Sequence, residues 1–515
     1  MSQIKTNKFL EIALEQIPRL LGQLNRNPSS ISYGSFDRAF WHYRTNDISC
    51  VRYQEATLTL ALLYCHNFEG NNYYQDKKVF EWIRASLLFT VRLQRRNGSF
   101  DEWYINEGSY VATAFQVVAL SQAIILFREK GVVLPEEAVV LTCLEKAIQF
   151  LIKNKEETVM NQVSGAILAI ASVGYLCQRK DLIIFADNLL DDFITKQNFE
   201  GWWSEYGGPD IGYLTLTINY LEKYQTLTGS QKVTPVISKA KDFVLAFINP
   251  DLTAGGEYMS RNTEYIIPSA ALPYLGALKP LHLDDRYLCY ILYNWIEAGL
   301  KILPQDFELH KGNNFYRNSR LLRVASESYF LVVNGDKGGS FRLYSNGKVY
   351  YDSGLEISSR LGRFSTGILD KNNKVLFGHG EFLASGSVKV IREPLMKTLT
   401  TIVFKFWQFF LGRVSFFQKL VKDFLRPRMI NYSSRSSLTF ERKFKYSKDE
   451  IIVTDIIYGG AKNDIKFGVK ASYSAVPSSK YAAVPENDSL RLHPDFEEKE
   501  ENELYLIKRI FHFGI

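Results

Sequence analysis

Residues 97–104 read NGSFDEWY, and residues 199–206 read FEGWWSEY. Each stretch follows a segment with a helical hydrophobic period and precedes another such segment. Each also places a glycine, an aromatic residue, an acid and a tyrosine in a single loop. Helical units that repeat with equivalent loops on one side are typical of stacked helical hairpins. The two stretches therefore predict an α/α toroid whose loops meet at one mouth.

The helical period extends outward from these loops over the first three fifths of the chain. Apolar residues recur at spacings of three and four from about residue 5 to residue 302, as in amphipathic helices. The spacing predicts helices at 76–96, 136–154, 159–178, 181–197, 211–228, 233–248 and 284–302. We therefore expect an incomplete α/α toroid domain at residues 1–310.

The period changes to two after about residue 312. Stretches such as SFRLYSNG at 340–347 and EIIVTDIIYGG at 450–460 alternate in polarity and end in Asn-Gly or Gly-Gly turns, which is typical of antiparallel strands. This pattern predicts an antiparallel β-sandwich domain at residues 311–515. The expected fold class is therefore α+β and multidomain.

One segment of the second half, residues 395–427, returns to a helical period. Its predicted apolar face is rich in phenylalanine, and the segment carries six basic residues against one acid, Asp423. A basic helix with an apolar aromatic face is typical of helices that lie in a membrane interface. This pattern predicts a membrane surface as a partner. Packing of the same face on the sandwich or on a partner subunit is the alternative.

The composition limits the classes of function and compartment. The chain has 515 residues, of which 46% are hydrophobic, 14% aromatic and 23% charged, as in folded globular proteins. A formal charge of +7 is too small for this length to indicate a nucleic-acid partner. The N-terminus lacks the apolar core of a signal peptide, and the five cysteines have neither disulfide nor zinc spacing. We expect a cytoplasmic protein, peripheral on the inner face of the membrane if the basic helix binds there.

Polar and aromatic residues form four clusters in loops of the helical half. Aromatic rings can stack on sugar rings, polar groups can bind hydroxyls, and arginine grips a carboxylate with two hydrogen bonds. The residues expected to contact a substrate are Arg38, Trp41, Arg44, Trp103, Tyr104, Glu107, Trp202, Trp203, Glu205, Tyr206, Asp210, Tyr258, Asn262, Glu264 and Tyr265. The alternative interpretation is structural: Asp37–Arg38 and Glu257–Arg261 as ion pairs, and the tryptophans as core anchors.

Three stretches carry a resemblance to a known family. They are NEGSYVATAF at 106–115, GWWSEYGGPDIGY at 201–213 and NGDKGGSFRLYSNGKVYYDSG at 334–354. With a helical half followed by a β-sandwich, the chain resembles a divergent branch of the heparinase II/III-like polysaccharide lyases, one associated with surface-polysaccharide gene clusters. Glu107 and Leu214 stand where the family usually has histidine, and Lys337 lies where the family often has a histidine-bearing stretch.

The resemblance implies removal of the proton at C5 of a uronate, next to its carboxylate. It assigns Asn106 to neutralise that carboxylate, with Arg261 or Asn262 as alternatives, and it assigns Tyr213 as the acid and as a first candidate for the base. Lys337 would join them if the sheet domain covers the toroid mouth, as in the family. His42, a histidine within one of the polar loop clusters, is a second candidate for the base.

The expected function is an enzyme on an acidic, uronate-containing polysaccharide or a lipid-linked glycan, in surface-polysaccharide biosynthesis. The departures at the family histidines leave C5-epimerisation open beside β-elimination. A glycoside hydrolase using two of the acids in the loops, or a non-catalytic glycan-binding or assembly protein at the membrane, are the alternatives. No cofactor motif or metal-ligand spacing is evident, although carboxylates alone can bind a divalent cation.

Overall fold

The structure of the chain is a computed structural model. It describes residues 3–276, 279–359, 362–391, 397–412, 414, 434–459, 464–468, 471, 473, 491–501 and 504–513. The predicted basic helix at 395–427 is therefore described only in its first part, and the rest of that prediction lies outside the described residues.

Helices fill the first part of the chain. The α-helices are α1 (Lys8–Gln23), α2 (Arg38–Trp41), α3 (Ala56–Cys65), α4 (Lys77–Leu93), α5 (Tyr110–Glu129), α6 (Glu137–Lys153), α7 (Met160–Leu176), α8 (Lys180–Thr195), α9 (Ile211–Thr228), α10 (Thr234–Ala246) and α11 (Asp285–Lys301). All seven helices predicted from the hydrophobic period are present, and their ends lie within three residues of the predictions.

Burial separates inner helices from outer ones. The helices α3, α5 and α7 are buried almost all round, and α3, α5, α7 and α9 pack in series while α11 packs against α3. An ion pair of 2.6 Å between Lys223 of α9 and Glu297 of α11 joins the two ends of this row. The outer helix α8 buries only a stripe at Leu182, Ala186, Leu190 and Phe193, the pattern of a helix with one face on a core. The result is the predicted α/α toroid.

Helix α5 has the length and apolar composition that could cross a membrane, and it is the one helix of this kind among the described residues. Of its most apolar window, 78% is buried inside the protein. Its position between α3 and α7 makes it a core helix of the toroid.

The two similar loops have equivalent structures. Gln94 donates hydrogen bonds to the carbonyls of Gly98 and Cys143, and Gln197 donates to those of Gly201 and Val236, all within 3.1 Å. Gly98 and Gly201 both have positive φ, +88° and +104°. A Cβ at either glycine would overlap a carbonyl oxygen of the neighbouring outer helix. The internal repeat therefore has a physical basis, because each loop must pass very close to an outer helix.

Strands fill the second part of the chain. They are β1 (Gly312–Tyr316), β2 (Leu321–Ala325), β3 (Phe330–Asn334), β4 (Ser340–Ser345), β5 (Lys348–Asp352), β6 (Glu356–Ser359), β7 (Gly362–Ser365), β8 (Lys374–Gly378), β9 (Glu381–Val390), β10 (Arg435–Tyr446), β11 (Glu450–Tyr458), β12 (Asp464–Lys466), β13 (Asp495–Glu501) and β14 (Leu504–His512). A further helix, α12 (Thr398–Phe410), lies between β9 and β10.

The strands form two antiparallel sheets. The first has the order β1-β2-β3-β4-β5, and the second has the order β12-β6-β7-β9-β10-β11-β14-β13, with β8 paired to β9. Strands β2 and β3 are buried at every position. Alternate side chains explain this: Leu321 and Val332 pack in the toroid core, whereas Leu322 and Leu331 pack against the second sheet. The first sheet is thus the middle layer between the toroid and the second sheet.

A buried charge network links the two sheets of the sandwich. Arg442 and Arg509 each pair with both Asp352 and Asp455, and all four side chains are at most 1% exposed. Burial alone would raise the pKa of Asp352, but the two guanidinium groups outweigh it and lower this pKa to about 2. The network is electrically balanced, as buried charges require.

The first sheet also holds the toroid at residues 257–264. Arg342 of β4 pairs with Glu257 at 2.7 Å and with Glu264. Asn334 donates to the carbonyl of Tyr258 at 2.5 Å. Since these contacts are buried, they fix the sheet domain over one end of the toroid.

Candidate functional site

The site lies where the inner helices begin. Asp210 caps the N-terminus of α9, accepting a hydrogen bond from the Tyr213 backbone at 2.8 Å. Asn161, in the first turn of α7, contacts the loop before α9, and Arg286, in the first turn of α11, contacts the loop before α5. The N-terminal ends of these helices therefore adjoin and form the mouth of the toroid.

The centre of the site is a stack of three side chains. Asp210 binds the guanidinium of Arg261 through both carboxylate oxygens, at 3.1 and 2.6 Å, and both side chains are fully buried. The guanidinium carbon lies 3.2 Å from the centre of the Tyr213 ring. Thr263 donates a further hydrogen bond of 3.1 Å to Asp210. The tyrosine ring is thus held on one side by a fixed, positively charged plate.

A second tyrosine and a buried acid flank this stack. The Tyr206 ring lies 6.2 Å from the Tyr213 ring. Glu205 accepts hydrogen bonds from the backbone and the side chain of Asn161, at 2.6 and 3.0 Å. Burial raises the pKa of Glu205 to about 8. The acid is therefore mainly protonated at neutral pH.

The sheet domain closes the site from the other side. Lys337, in the turn between β3 and β4, donates to the carbonyls of Glu257 and Met259 and to the Asn262 side chain, at 2.6, 2.8 and 3.0 Å. Burial lowers the pKa of Lys337 to about 8. Because all three N–H donors of the ammonium group are used, its role in this geometry is to tether the loop that carries Arg261. The structure thus places Lys337 against the loop of residues 257–262, and its part in the chemistry stays a prediction.

Asn262 links the two domains. Its side-chain amide donates to the Ala471 carbonyl at 2.6 Å, while its oxygen accepts from Lys337. Asn262 and Arg261 therefore lie next to each other in a loop that both domains hold.

A row of aromatic and arginine side chains crosses the mouth from this stack. Tyr265 packs on Tyr287 at 5.4 Å, and Tyr287 packs on Tyr290 at 5.7 Å. Arg286 contacts Tyr290, pairs with Glu102 at 2.7 Å and lies 3.7 Å from the Trp103 ring centre. Trp103 is 50% exposed. Tyr265, Tyr287 and Tyr290 are at most 6% exposed, so Trp103, beside the Arg286 guanidinium, is the flat ring of this row that an acidic sugar chain could reach.

Sequence reasoning missed Arg286, Tyr287 and Tyr290. The sequence contains an indication of their position. The helix at 284–302 is predicted from the hydrophobic period, and Asp284 is a typical capping residue at its start. The first turn after such a cap would lie at the mouth, as residues 286–290 do.

Asn106 lies in the same mouth but is covered. It has a positive φ of +66° and is 5% exposed. Its side-chain oxygen accepts from Arg95, and its amide donates to the Gln408 carbonyl of α12 at 2.9 Å. Glu107 accepts from the backbone N–H groups of Glu102 and Trp103, both at 2.8 Å. Asn106 thus contacts Arg95 and α12 and not the Arg261 stack, so its role in the chemistry stays a prediction.

The exposed side chains of the first loop cluster pack on one another. His42, Tyr43 and Arg44 are exposed, and the His42 ring lies between those of Trp41 and Tyr43, at 5.2 and 4.8 Å. Arg38 lies 5.1 Å from the centre of the Tyr43 ring. The structure does not bring His42 into contact with the Arg261 stack, and its role as a base stays a prediction.

Several candidate binding residues have structural positions. Trp202 and Trp203 are 5% and 3% exposed, and their N–H groups donate to Glu200 and to the Phe193 carbonyl. Tyr258 is fully buried and donates to Asn249 at 3.0 Å. Their ring faces are not available to a sugar in this structure, because they complete the core between outer helices and the first sheet.

The two ion pairs considered from the sequence are wrong. Glu257 pairs with Arg342 of the sheet domain, and Arg261 pairs with Asp210. Asp37 is fully buried and accepts from the Cys50 backbone at 2.9 Å. The charged residues of these loops pair with residues distant in sequence because the loops pack against other elements.

Within the described ranges, no group of three or more His, Cys, Asp and Glu side chains is arranged to hold a metal ion.

Comparison with known proteins identifies the fold. The structure is similar to that of the Streptomyces coelicolor A3 chondroitin AC lyase, solved with chondroitin sulphate, with a TM-score of 0.56 and 9% sequence identity over 89% of this chain and 67% of that chain. This chain has the fold of a polysaccharide lyase. Two further structures have lower TM-scores. A chondroitinase AC lyase has a TM-score of 0.47 and 14% identity over 89% of this chain and 65% of that chain. A heparinase III has a TM-score of 0.44 and 13% identity over 89% of this chain and 79% of that chain.

The predicted fold, a toroid followed by an antiparallel sandwich, is confirmed, and so is the resemblance to polysaccharide lyases in architecture. No protein-family model and no curated protein sequence matches the chain. The chain spans about two thirds of the length of the two chondroitin lyases.

Proposed function

We propose that the protein is an enzyme that removes the C5 proton of a uronate in an acidic polysaccharide and cleaves the chain by β-elimination. The observation that carries this proposal is the Asp210–Arg261–Tyr213 stack at the toroid mouth. The solved chondroitin AC lyase of similar fold is in complex with chondroitin sulphate, which supports a polysaccharide as the class of substrate.

Tyr213 is the proposed acid and base. As a phenolate it takes the proton from C5, and the electrons of the C5–H bond form the C4–C5 double bond as the bond from C4 to the leaving oxygen breaks. The same phenol then returns the proton to that oxygen. A base at the reacting carbon needs a fixed position, and the buried Arg261 plate supplies it by holding one face of the ring.

Neutralisation of the uronate carboxylate is the second requirement, because the developing enolate carries its charge there. The Asn262 amide is the best-placed group, since it is the neighbour of Arg261 and is only half-buried. In the proposed complex it exchanges its Ala471 acceptor for the carboxylate. Asn106 is the alternative, and it would have to exchange the Gln408 carbonyl of α12.

The test is an assay against a panel of uronate-containing polysaccharides, followed by the ultraviolet absorbance of the unsaturated uronate product. We expect absorbance to rise with at least one acidic polysaccharide and not with neutral glucans. Reducing ends that appear without this absorbance would identify a hydrolase and contradict the proposal.

C5-epimerisation is the second candidate, and the Tyr206–Tyr213 pair favours it. Two phenols whose ring centres lie 6.2 Å apart would supply the two proton carriers that this reaction needs, one taking the proton and the other returning one. Incubation in deuterium oxide separates the two reactions. An epimerase places deuterium at C5 of an uncut chain, whereas a lyase shortens the chain.

A carboxylate pair for hydrolysis has little support at this site. Asp210 accepts from Arg261, Thr263 and the Tyr213 backbone, and Glu205 accepts twice from Asn161. A hydrolase needs two carboxyl groups that reach the glycosidic oxygen and a water molecule. Both of these acids are buried, and their oxygens accept hydrogen bonds from other residues of the protein.

The biological setting is also a proposal. We infer that the substrate is a nascent or lipid-linked glycan of surface-polysaccharide biosynthesis, handled in the cytoplasm at the inner face of the membrane. The basic and apolar character of the sequence at 395–427 supports this location. Co-fractionation of the protein with inner membranes, reversed by high salt, would be the expected result. Recovery only in the soluble fraction at low salt would contradict it.

A further inference from the structure

We propose that α12 docks the protein on an anionic lipid bilayer with the toroid mouth turned toward the lipid surface. The proposal rests on the exposed face of α12, on the way its other face is anchored, and on charge. It is independent of whether the site cleaves, epimerises or only binds a glycan.

The outer face of α12 is a continuous apolar surface. Its side chains recur at spacings of three and four, and all of them are more than half exposed: Leu399 72%, Ile402 60%, Val403 60%, Phe406 64%, Phe409 54% and Phe410 56%. Single exposed apolar residues are ordinary, but a contiguous group of this size marks a binding surface. We call these six residues the α12 face.

The other side of α12 is held on the toroid mouth. Phe404 and Trp407 pack edge-on against Tyr104, at 5.1 and 6.4 Å between ring centres. The Gln408 carbonyl accepts from Asn106, and the Gln408 side chain is buried. The helix therefore has a fixed rotation, which turns the α12 face away from the protein.

Charge favours a bilayer as the occupant. Within α12 the charged residue is Lys405, which pairs with Asp47 at 2.7 Å, and the exposed Lys397 precedes the helix. In the sequence, four basic residues and one acid follow between residues 411 and 427. Anionic headgroups attract such a segment, whereas two copies of the chain would bring like charges together.

Docking through α12 has a geometric consequence. Because Tyr104 and Asn106 belong to the loop at the start of α5, the bilayer would lie beside the mouth that holds Trp103 and Arg286. A glycan attached to a lipid in that bilayer would then reach the aromatic row without leaving the membrane surface.

The test is flotation of the purified full chain with vesicles of phosphatidylcholine alone or with phosphatidylglycerol. We compare Ile402→Glu with Ile184→Glu, a matched control on the outer helix α8, where Ile184 is 61% exposed against 60% for Ile402. We expect wild type and I184E to float with the anionic vesicles. I402E should bind at least about tenfold more weakly, because it places a charge in the apolar contact.

Two results would overturn the proposal. One is an absence of wild-type binding to anionic vesicles, and the other is equal binding by I402E and I184E. Sedimentation velocity identifies a different occupant: if wild type self-associates without binding vesicles and I402E is monomeric, the α12 face binds a second copy. Failure of docking would leave the uronate chemistry standing, because the polysaccharide assay uses soluble substrates.

Discussion

The guanidinium carbon of Arg261 lies 3.2 Å from the centre of the Tyr213 ring, although 48 residues separate them (261 minus 213). Asp210, at the start of the helix that carries Tyr213, holds the guanidinium by two hydrogen bonds. The helix cap, the arginine and the tyrosine are thus one rigid unit. The proposed chemistry depends on this unit, since it sets where the phenol can meet a sugar.

Replacing Arg261 with lysine should show how much the flat guanidinium group contributes beyond its positive charge. Arg261→Lys keeps a positive charge but loses both the flat stack on Tyr213 and the two-pronged bond to Asp210. We expect a loss of about 3 kcal/mol or more in the free energy of unfolding, as for other broken buried pairs, measured by urea denaturation. Arg179→Lys, at an exposed pair with Asp181, is the control and should leave the free energy of unfolding almost unchanged.

The acid Glu205 should make stability depend on pH. Its pKa is raised from 4.5 to about 8 in the folded protein, so folding favours its protonated form. The stabilisation is complete below pH 4.5 and is lost as pH rises toward 8, at about 1.4 kcal/mol for each pH unit. Glu205→Gln should remove this slope.

The measurement is the difference in unfolding free energy between wild type and E205Q from pH 5 to pH 8. We expect the difference to move in favour of E205Q as pH rises. A constant difference would mean that Glu205 is already ionised at pH 5 in the folded protein.

Glycines at the repeated loops should tolerate no side chain. Gly201 has a φ of +104°, and a Cβ would overlap the Lys239 carbonyl. Gly229 also has a positive φ, +73°, but open space around it. We expect Gly229→Ala to cost about 1 kcal/mol through backbone strain and Gly201→Ala clearly more, measured by thermal unfolding. Equal costs would contradict the close approach to α10.

Arg286 should bind the sugar chain without taking part in its chemistry. It stacks on Trp103 and pairs with Glu102 at the mouth. Arg286→Ala should weaken glycan binding by about tenfold, from the loss of one charge-assisted contact, with little change in the turnover rate at saturation. Direct binding and the separate values of kcat and KM would check this, and a fall in kcat alone would contradict the assignment.

The hydrophobic period was enough to predict the helices and the change to strands. The pairing of charges was not predictable. Arg261 pairs with Asp210, 51 residues away, and Glu257 pairs with Arg342, 85 residues away. The sequence does not show which elements will pack against these loops.

The sequence also predicted only part of the candidate site. Asp210, Tyr213, Arg261, Asn262 and Lys337 meet in the structure as their clusters suggested. Trp202 and Trp203 do not join them, because the sequence of a loop does not show whether a tryptophan ring points toward the core. Arg286, Tyr287 and Tyr290 lie at the start of a helix. The hydrophobic period there predicts which side chains are buried, but it does not predict which of them line a site.

The central claim is tested most directly by following the C5 proton of a uronate polysaccharide by NMR in deuterium oxide with wild type and Tyr213→Phe. The account predicts loss of the C5–H signal with wild type. It predicts a rate lower by a factor of about 100 or more with Y213F, which lacks only the hydroxyl that carries the proton. Proton loss by Y213F at the wild-type rate would contradict the account.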